Sequence, residues 1–293
     1  MKLNSKVYPI YCPEANQQSV LRLGLSRLSL ADWILIDEDF ELFHQHKLQQ
    51  QSLNHRSVYQ ELCGAKDAIA EFNDFLLKHL LTRHHEQFAI NQNQLIHLAT
   101  GIGFDLSATS LWKSSLWVQD DLCLLQPQAE EYRLTVGSVC SPSRWRLQEK
   151  IGKSIDWIHV PVPDYQQTLS ERVNRLLAGM KPGNPVQRYN WSIQPGNELN
   201  WQRRESMDSE SLRWHWRVER QTLLKLPRTG AVMFCIRIFL HSFDRMEETI
   251  KLLSGNSDSQ GFRKVLLAII NRTPSPIRHY KGLTDTLIRE LEK

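Results

Sequence analysis

The run LRWHWRVERQTL, residues 212–223, reads as a strand. Taken two by two, it puts Leu212, Trp214, Trp216 and Val218 on one side and Arg213, His215, Arg217 and Glu219 on the other. Successive residues of a strand face opposite ways, so the two sides must meet different surroundings. Two tryptophans need a large apolar layer against them. Four ionisable groups in a row need either water or a charged group that the protein is built to hold.

Four more runs share this character: DLCLLQ, YRLTVGSVC, RYNWSIQ and AVMFCIRIFL are rich in β-branched or aromatic residues with stretches of period two. Before them the period is helical. SVYQELCGAKDAIAEFNDFLLKHLLTRH, 57–84, repeats Leu62, Ile69, Phe72, Leu76 and Leu80 at threes and fours, which predicts one long amphipathic helix, and NQLIHLATGIGF predicts another. Short helices are expected at PSRWRLQEKIG, opened by Ser141-Pro142-Ser143, and at YQQTLSERVNRLLAG. The helical period returns after 240. Helices, about five strands and helices again predict an α+β fold with an antiparallel sheet rather than alternating βαβ units. The expected organisation is one domain over 1–293, with a mostly helical part at 1–118, a sheet core at 119–240 and C-terminal helices at 241–293.

A net charge of +4 without a Lys/Arg block argues against a nucleic-acid partner and suits an acidic protein or an anionic ligand. The five cysteines (Cys12, Cys63, Cys123, Cys140 and Cys235) are odd in number and form no C-x-x-C, which predicts a reducing, cytoplasmic setting. The start MKLNSKVYPIYC lacks the apolar core of a signal peptide, and the longest apolar run, AVMFCI, is too short to cross a bilayer. No phosphate loop, dinucleotide fingerprint, HExxH or GxSxG spacing appears.

Several residues remain as candidates for chemistry. In IDWIHVPVPDY, Pro161 and Pro163 fix the backbone after His159 and predict a stiff, extended segment. Such a histidine could ligate a metal, or be hydrogen-bonded at a helix-to-loop corner. Arg217, Arg220, Arg228 and Arg237 follow closely along the chain, and arginine matches planar anions with its two-pronged donors. Glu219 among them could anchor an ammonium group. Asp120 and Asp121 are adjacent on a strand, so they point apart and suit a turn or cap better than a paired acid and base. His84-His85 reads as surface at a helix end.

Together, RLGLSRLSLADWILIDEDF, VQDDLCLL, VGSVCSPSRWRLQEKIGKSIDWIHVPVPDY, VNRLL, YNWSI, RVERQTLLKLPRTGAVMFCIRIF and YKGL resemble the haem-dependent oxidative N-demethylases, the family of the haem subunit of dimethylamine monooxygenase. The blocks span about 22–285. The resemblance implies a PAS-like antiparallel sheet flanked by helices and holding a b-type haem. It implies oxidative removal of a methyl group from a small secondary amine with O2, releasing formaldehyde. Electrons would come from NAD(P)H through a separate flavin and iron–sulfur reductase subunit, and a tetrahydrofolate-binding subunit could capture the formaldehyde. Carried onto this chain, it makes His159 the axial iron ligand and Arg144, Arg217, Arg220, Arg228 and Arg237 partners for the haem propionates. Glu219 becomes the residue that orients the amine, with Gln221 and Thr222 nearby, and His215 a second polar group on the oxygen side. Cys123 and Cys140 are rival iron donors, although buried thiols are usually inert. Val160, Asp164 and Tyr189 depart from the family's pattern, which bears on the choice of amine. A haem-based gas sensor and a haem-free ligand-binding relative are the competing functions.

Overall fold

The computed structural model describes residues 11, 23–107, 110–129, 131–202, 213–254 and 261–292. Leu212 and Cys12 lie outside these residues. In chain order the elements are β1 (Ser26–Arg27), a 3-10 turn (Leu30–Asp32), α1 (Phe40–Val58), β2 (Tyr59–Glu61), α2 (Lys66–Arg83), β3 (Phe88–Asn91), β4 (Gln94–His97), β5 (Ile102–Asp105) and α3 (Leu111–Ser115). The hairpin β6 (Asp121–Gln128) and β7 (Glu131–Ser138) follows. A crossover then carries α4 (Leu147–Lys150), α5 (Ile155–Ile158), α6 (Tyr165–Thr168) and α7 (Ser170–Gly179). Last come β8 (Val186–Pro195), β9 (Trp214–Lys225), β10 (Val232–Ser242), α8 (Phe243–Ser254), α9 (Phe262–Arg272), α10 (Ser275–Lys281) and α11 (Asp285–Leu291).

The architecture is α+β. A seven-stranded antiparallel sheet runs in the order β1-β8-β9-β10-β6-β7-β2, and β3-β4-β5 form a small separate meander. All five strand-like runs of the sequence are strands of the large sheet. Two helical expectations fail. The helix expected over 57–84 begins only at Lys66, because Gly64 takes φ +91° and ends the short strand β2 in a turn. NQLIHLATGIGF forms the β4–β5 hairpin, in which Leu95 faces Phe104 and Gly101 takes φ +72° at the turn. Ser141-Pro142-Ser143 does not cap a helix either, since α4 starts six residues after Ser141, beyond Arg146.

The pairing register assigns every core side chain to one of two faces. On the tryptophan face, Trp191, Trp216 and Val218 pack with Phe239 against Phe243, Phe262, Leu266 and Leu287 of the C-terminal helices. Trp216 is fully buried, stacked on Trp191 at 4.7 Å and edge-on to Phe262 at 5.3 Å. Such aromatic pairs add about 0.5–1.5 kcal/mol beyond the area they bury. Further along the same face, Leu122, Leu124, Leu224, Met233 and Cys235 join Trp33, Phe72, Leu76 and Leu80 in a second cluster under the N-terminal helices. The opposite face packs Cys123, Leu125, Leu223 and Val232 against Leu147, Ile155 and Leu177 of the crossover. Gly137 is needed there, because a Cβ would stand 2.5 Å from Leu147. Among the described residues, no helix is long and apolar enough to cross a membrane.

Candidate functional site

The face opposite the tryptophans carries an ionisable patch where the crossover helices leave it partly open. Register places Arg188, Asn190 and Ser192 of β8 beside Gln221, Glu219 and Arg217 of β9, with Ile236 and Ile238 of β10 opposite Gln221 and Glu219. Glu219 is clamped. Its Oε2 accepts Asn190 Nδ2 at 3.1 Å and Gln221 Nε2 at 2.9 Å, while Oε1 faces Arg217 Nε at 3.6 Å. Oε1 therefore keeps acceptor capacity, and the side chain retains 16% exposure. A carboxylate fixed on one oxygen and open on the other is a ready partner for a cationic N–H donor.

His159 lies in the crossover, near Arg188 of this patch. The segment after it is not extended as the prolines suggested: Ile155–Ile158 is a helical turn started by Ser154, and His159 caps its end with its N–H on the Ile155 carbonyl. The ring is also hydrogen-bonded at this corner, with Nδ1 2.8 Å from the Ile155 carbonyl oxygen, and it stacks on Tyr165 at 4.7 Å. A carbonyl can only accept, so Nδ1 carries the proton and Nε2 carries the lone pair. Burial pushes the imidazole toward its neutral form, and the nearby Arg188 guanidinium adds to that push. This is the arrangement by which ligand histidines are oriented in metalloproteins. Arg188 links the two halves of the patch: it opposes charge on His159, and burial lowers its own guanidinium while Glu219 pulls the other way.

The other candidates separate by strand parity and by partner. Arg217 points to the patch but is fully buried and committed, donating to the carbonyls of Leu199 at 3.0 Å and Ser141, besides facing Glu219. Arg144 lies exposed at the rim with φ +54°, its guanidinium so close over Gly282 that a Cβ there would collide with it. Arg220 and Arg237 lie on the opposite face. The former donates to the carbonyls of Trp33 and Asp32, and the latter pairs with Asp37 at 2.9 Å. Arg228 sits exposed in the β9–β10 turn, which Glu71 holds through the Arg228 and Thr229 N–H groups. His215 lies two residues beyond Arg217 at the strand's start, with Nδ1 on the Arg213 carbonyl, away from Glu219. Thr222 faces away with Cys235, whereas Gln221 joins Glu219. Cys123 and Cys140 are buried, and burial pushes both thiols well up, which keeps them protonated and poor donors. Of the paired histidines, His85 is exposed and His84 is half-buried against Gln87.

Arg188 and Lys281 went unremarked in the sequence, although both fall in or beside strand and helix blocks quoted for the resemblance. Arg188 precedes YNWSI by one residue, and its parity with Asn190 puts it on the Glu219 side.

Asp120 and Asp121 do point apart. Asp121 accepts the N–H groups of Cys140 and Ser141 at 2.9 and 2.8 Å, ending β7 as a cap would. Asp120 is fully buried on the tryptophan face with neither oxygen hydrogen-bonded among the described residues. Burial raises its carboxyl from 3.8 to about 6, against the opposing pull of Arg237, Arg220 and Lys47. A raised folded value means that the native state holds a proton the unfolded chain has lost. The associated stability is present below about pH 4 and is lost as pH rises through about 6. Asp120→Asn should therefore gain about 1–3 kcal/mol in urea denaturation at pH 7. The gain should shrink to nothing near pH 4. A variant that is less stable at pH 7 would show the ionised carboxylate to be needed.

A cleft of about 520 Å³ lies elsewhere, between α1 and the start of the crossover, lined by Asn54, Trp145, Arg146, Glu149, Asn200 and neighbours. It contains no histidine, cysteine or tyrosine to act as an iron donor.

Across nearly this whole chain, residues 24–287 match the model of the family described as haem-dependent oxidative N-demethylase, alpha subunit-like. The chain belongs to that family. Haem dependence in an oxidative N-demethylase-like protein gives the patch a meaning that geometry alone does not supply. A haem asks its protein for one axial donor, an apolar slot and cations for two carboxylates. His159 Nε2 offers the donor, and the half-buried Phe234 and Ile236 offer apolar surface on the right face. Arg188 and Arg144 offer the cations. The residues present fit the group.

Proposed function

We propose that this chain is the haem-binding oxygenase subunit of an oxidative N-demethylase acting on a small secondary amine such as dimethylamine, yielding the primary amine and formaldehyde. Residues 1–293 form one PAS-like domain that binds haem b between the Glu219 face and the α5–α6 segment. His159 would hold the haem iron, and Arg144 and Arg188 would pair with the propionates. When bound, the haem supplies O2 activation and oxidation of the N-methyl carbon. The protein's own groups do the rest. Glu219 Oε1 receives an N–H of the ammonium substrate, while Asn190 and Gln221 prevent the carboxylate from turning. Ile236 keeps water from the methyl side. Electrons come from NAD(P)H through a separate flavin and iron–sulfur reductase, and a tetrahydrofolate-binding subunit takes up the formaldehyde.

The observation that carries this reading is that Arg188 stands near both an imidazole oriented through its Nδ1 proton and a carboxylate clamped through one oxygen. A charged hydrogen bond of this kind contributes about 1.5–3 kcal/mol. Glu219→Gln should therefore weaken dimethylamine binding by roughly 10–100-fold. The readout is the substrate-induced shift of the haem absorption band, with formaldehyde release in the presence of reductase falling in parallel. Haem content should stay at the wild-type level. An unchanged band shift in the variant removes Glu219 from amine recognition, and a protein that stays colourless with added hemin removes the haem.

A further inference from the structure

The Glu219 clamp is one end of a short chain of hydrogen bonds that begins at a buried ammonium group. β1 covers only Val186 and Gln187 of β8, so beyond them β8 is an edge of the sheet. Lys281, the last residue of α10, comes round that edge. Its Nζ donates to the Trp191 carbonyl at 2.8 Å and to Asn190 Oδ1 at 3.2 Å, and it lies 4.4 Å over the Trp191 ring. Asn190 then uses its other end, Nδ2, to hold Glu219 Oε2. Lys281 is 6% exposed, and among the described residues no carboxylate lies within ion-pair distance of it. Gly282 follows at φ +69° and ends the helix, which aims the lysine inward.

Each packed element contributes to the charge around Nζ. β8 brings Arg188 and β9 brings Glu219; Arg144 lies against Gly282, and the Tyr280 phenol stands near Glu219, Arg188 and Arg144. Tyr11 lies near Arg188, and His279 on α10 itself faces solvent. Burial pushes Lys281 down to about 7, with Glu219 pulling the other way and Arg188 adding to the fall.

We propose that occupancy of the Glu219 site by an alkylammonium ion is linked to a proton on Lys281, so that seating the cation releases that proton to solvent. The proposal deepens the amine-binding reading and rests on it. Before binding, one carboxylate faces Arg188, Arg217 and Lys281; an added cation makes the excess of positive charge worse. The guanidinium groups cannot yield protons at ordinary pH, and the ammonium of Lys281 can. One N–H bond breaks, its electron pair stays on Nζ, and the proton goes to buffer. Neutral Nζ still has N–H donors for the Trp191 carbonyl and Asn190 Oδ1, so the clamp on Glu219 keeps its orientation while its surroundings lose a charge. Lys281 is a positioning residue that acts through Asn190, and it sets how binding responds to pH.

The test is calorimetric titration of the haem-loaded protein with dimethylammonium chloride near pH 6.5, in phosphate and in ACES buffers. Their different ionisation heats report protons released. Wild type should release a substantial fraction of one proton per cation bound. Its affinity should rise by up to roughly tenfold per pH unit below about 7 and level off above. Lys281→Met should bind without proton release and with no pH dependence over this range. Lys281→Arg, charged throughout, should bind weakly with an equally flat profile. Because the proton count is made on wild type, it stands even if a variant fails to fold. Binding without proton release, or a proton release that survives in Lys281→Met, overturns the linkage and leaves the amine reading intact. No binding by wild type at any pH overturns both.

Discussion

His159→Ala should purify as a folded protein that has lost most of its haem, with the absorption band of the bound cofactor reduced at least roughly tenfold. Even the groups that merely orient a ligand histidine change metal affinity by about 10–100-fold, and loss of the ligand itself should do no less. Folding should survive, because among the described residues the ring's one hydrogen bond is to the carbonyl that opens a four-residue helix, and its stacking partner Tyr165 stays packed in the crossover. The change leaves a hole of imidazole size. Added imidazole should therefore restore part of the band in His159→Ala and none in a variant whose slot has collapsed. A second variant separates ligation from packing. His159→Phe keeps the stack on Tyr165 and removes the nitrogen, so it should lose haem as fully as the alanine variant. Absorption spectra of the three proteins, as purified and after hemin is added, decide the matter. A wild-type band in His159→Phe would leave the iron to another donor.

The sheet was legible because its strands carry their faces in the sequence. Trp214, Trp216 and Val218 announce an apolar layer by parity alone, and the C-terminal helices supply it. Parity also held information that a reading of charge overlooked. Arg220 falls on the tryptophan side of the same strand, two residues past Val218, and could not have pointed with Arg217 and Glu219. Arg237 shows a different limit, since its face depends on how β10 registers against β9, which no spacing within either strand reveals. The helix expected at 93–104 failed for a related reason: Leu95, Ile96, Ile102 and Phe104 suit a helical stripe or a hairpin equally, and Gly101 at φ +72° decides for the turn. At the site, Glu219 and His159 were visible as residue types in suggestive settings. Their partners were not. Asn190, Lys281 and the Ile155 carbonyl come from other elements, and only folding brings them within hydrogen-bond distance. The prolines after His159 misled in detail, since the rigidity comes from the helical turn before it.

The charges that parity hides on the tryptophan face lead to the largest expected loss of stability. Asp120, Arg237 and Arg220 lie near one another there, between the cluster under the N-terminal helices and the one under the C-terminal helices. Asp37, just after the first cluster's Trp33 and Ile34, completes this polar seam. Its carboxylate accepts Arg237 Nη2 at 2.9 and 3.1 Å, the Gln119 side chain and the Asp39 N–H, and both members of the ion pair are almost wholly buried. The guanidinium also lies 3.9 Å over the Phe43 ring. Removing one partner of such a pair strands the other charge, at a cost of about 3–5 kcal/mol. Asp37→Ala should therefore unfold about 6–20 °C below wild type, given roughly 2–4 °C per kcal/mol for a large domain. Arg237→Met alone should cost a similar amount, because Asp37 is then the stranded ion. The double variant Asp37→Leu with Arg237→Met should recover much of the loss, since two apolar side chains can join the clusters on either side. A thermal scan of wild type, Asp37→Leu, Arg237→Met and the double variant measures the coupling. If the single changes simply add in the double variant, the seam is not a coupled pair and the two clusters are held together by packing alone.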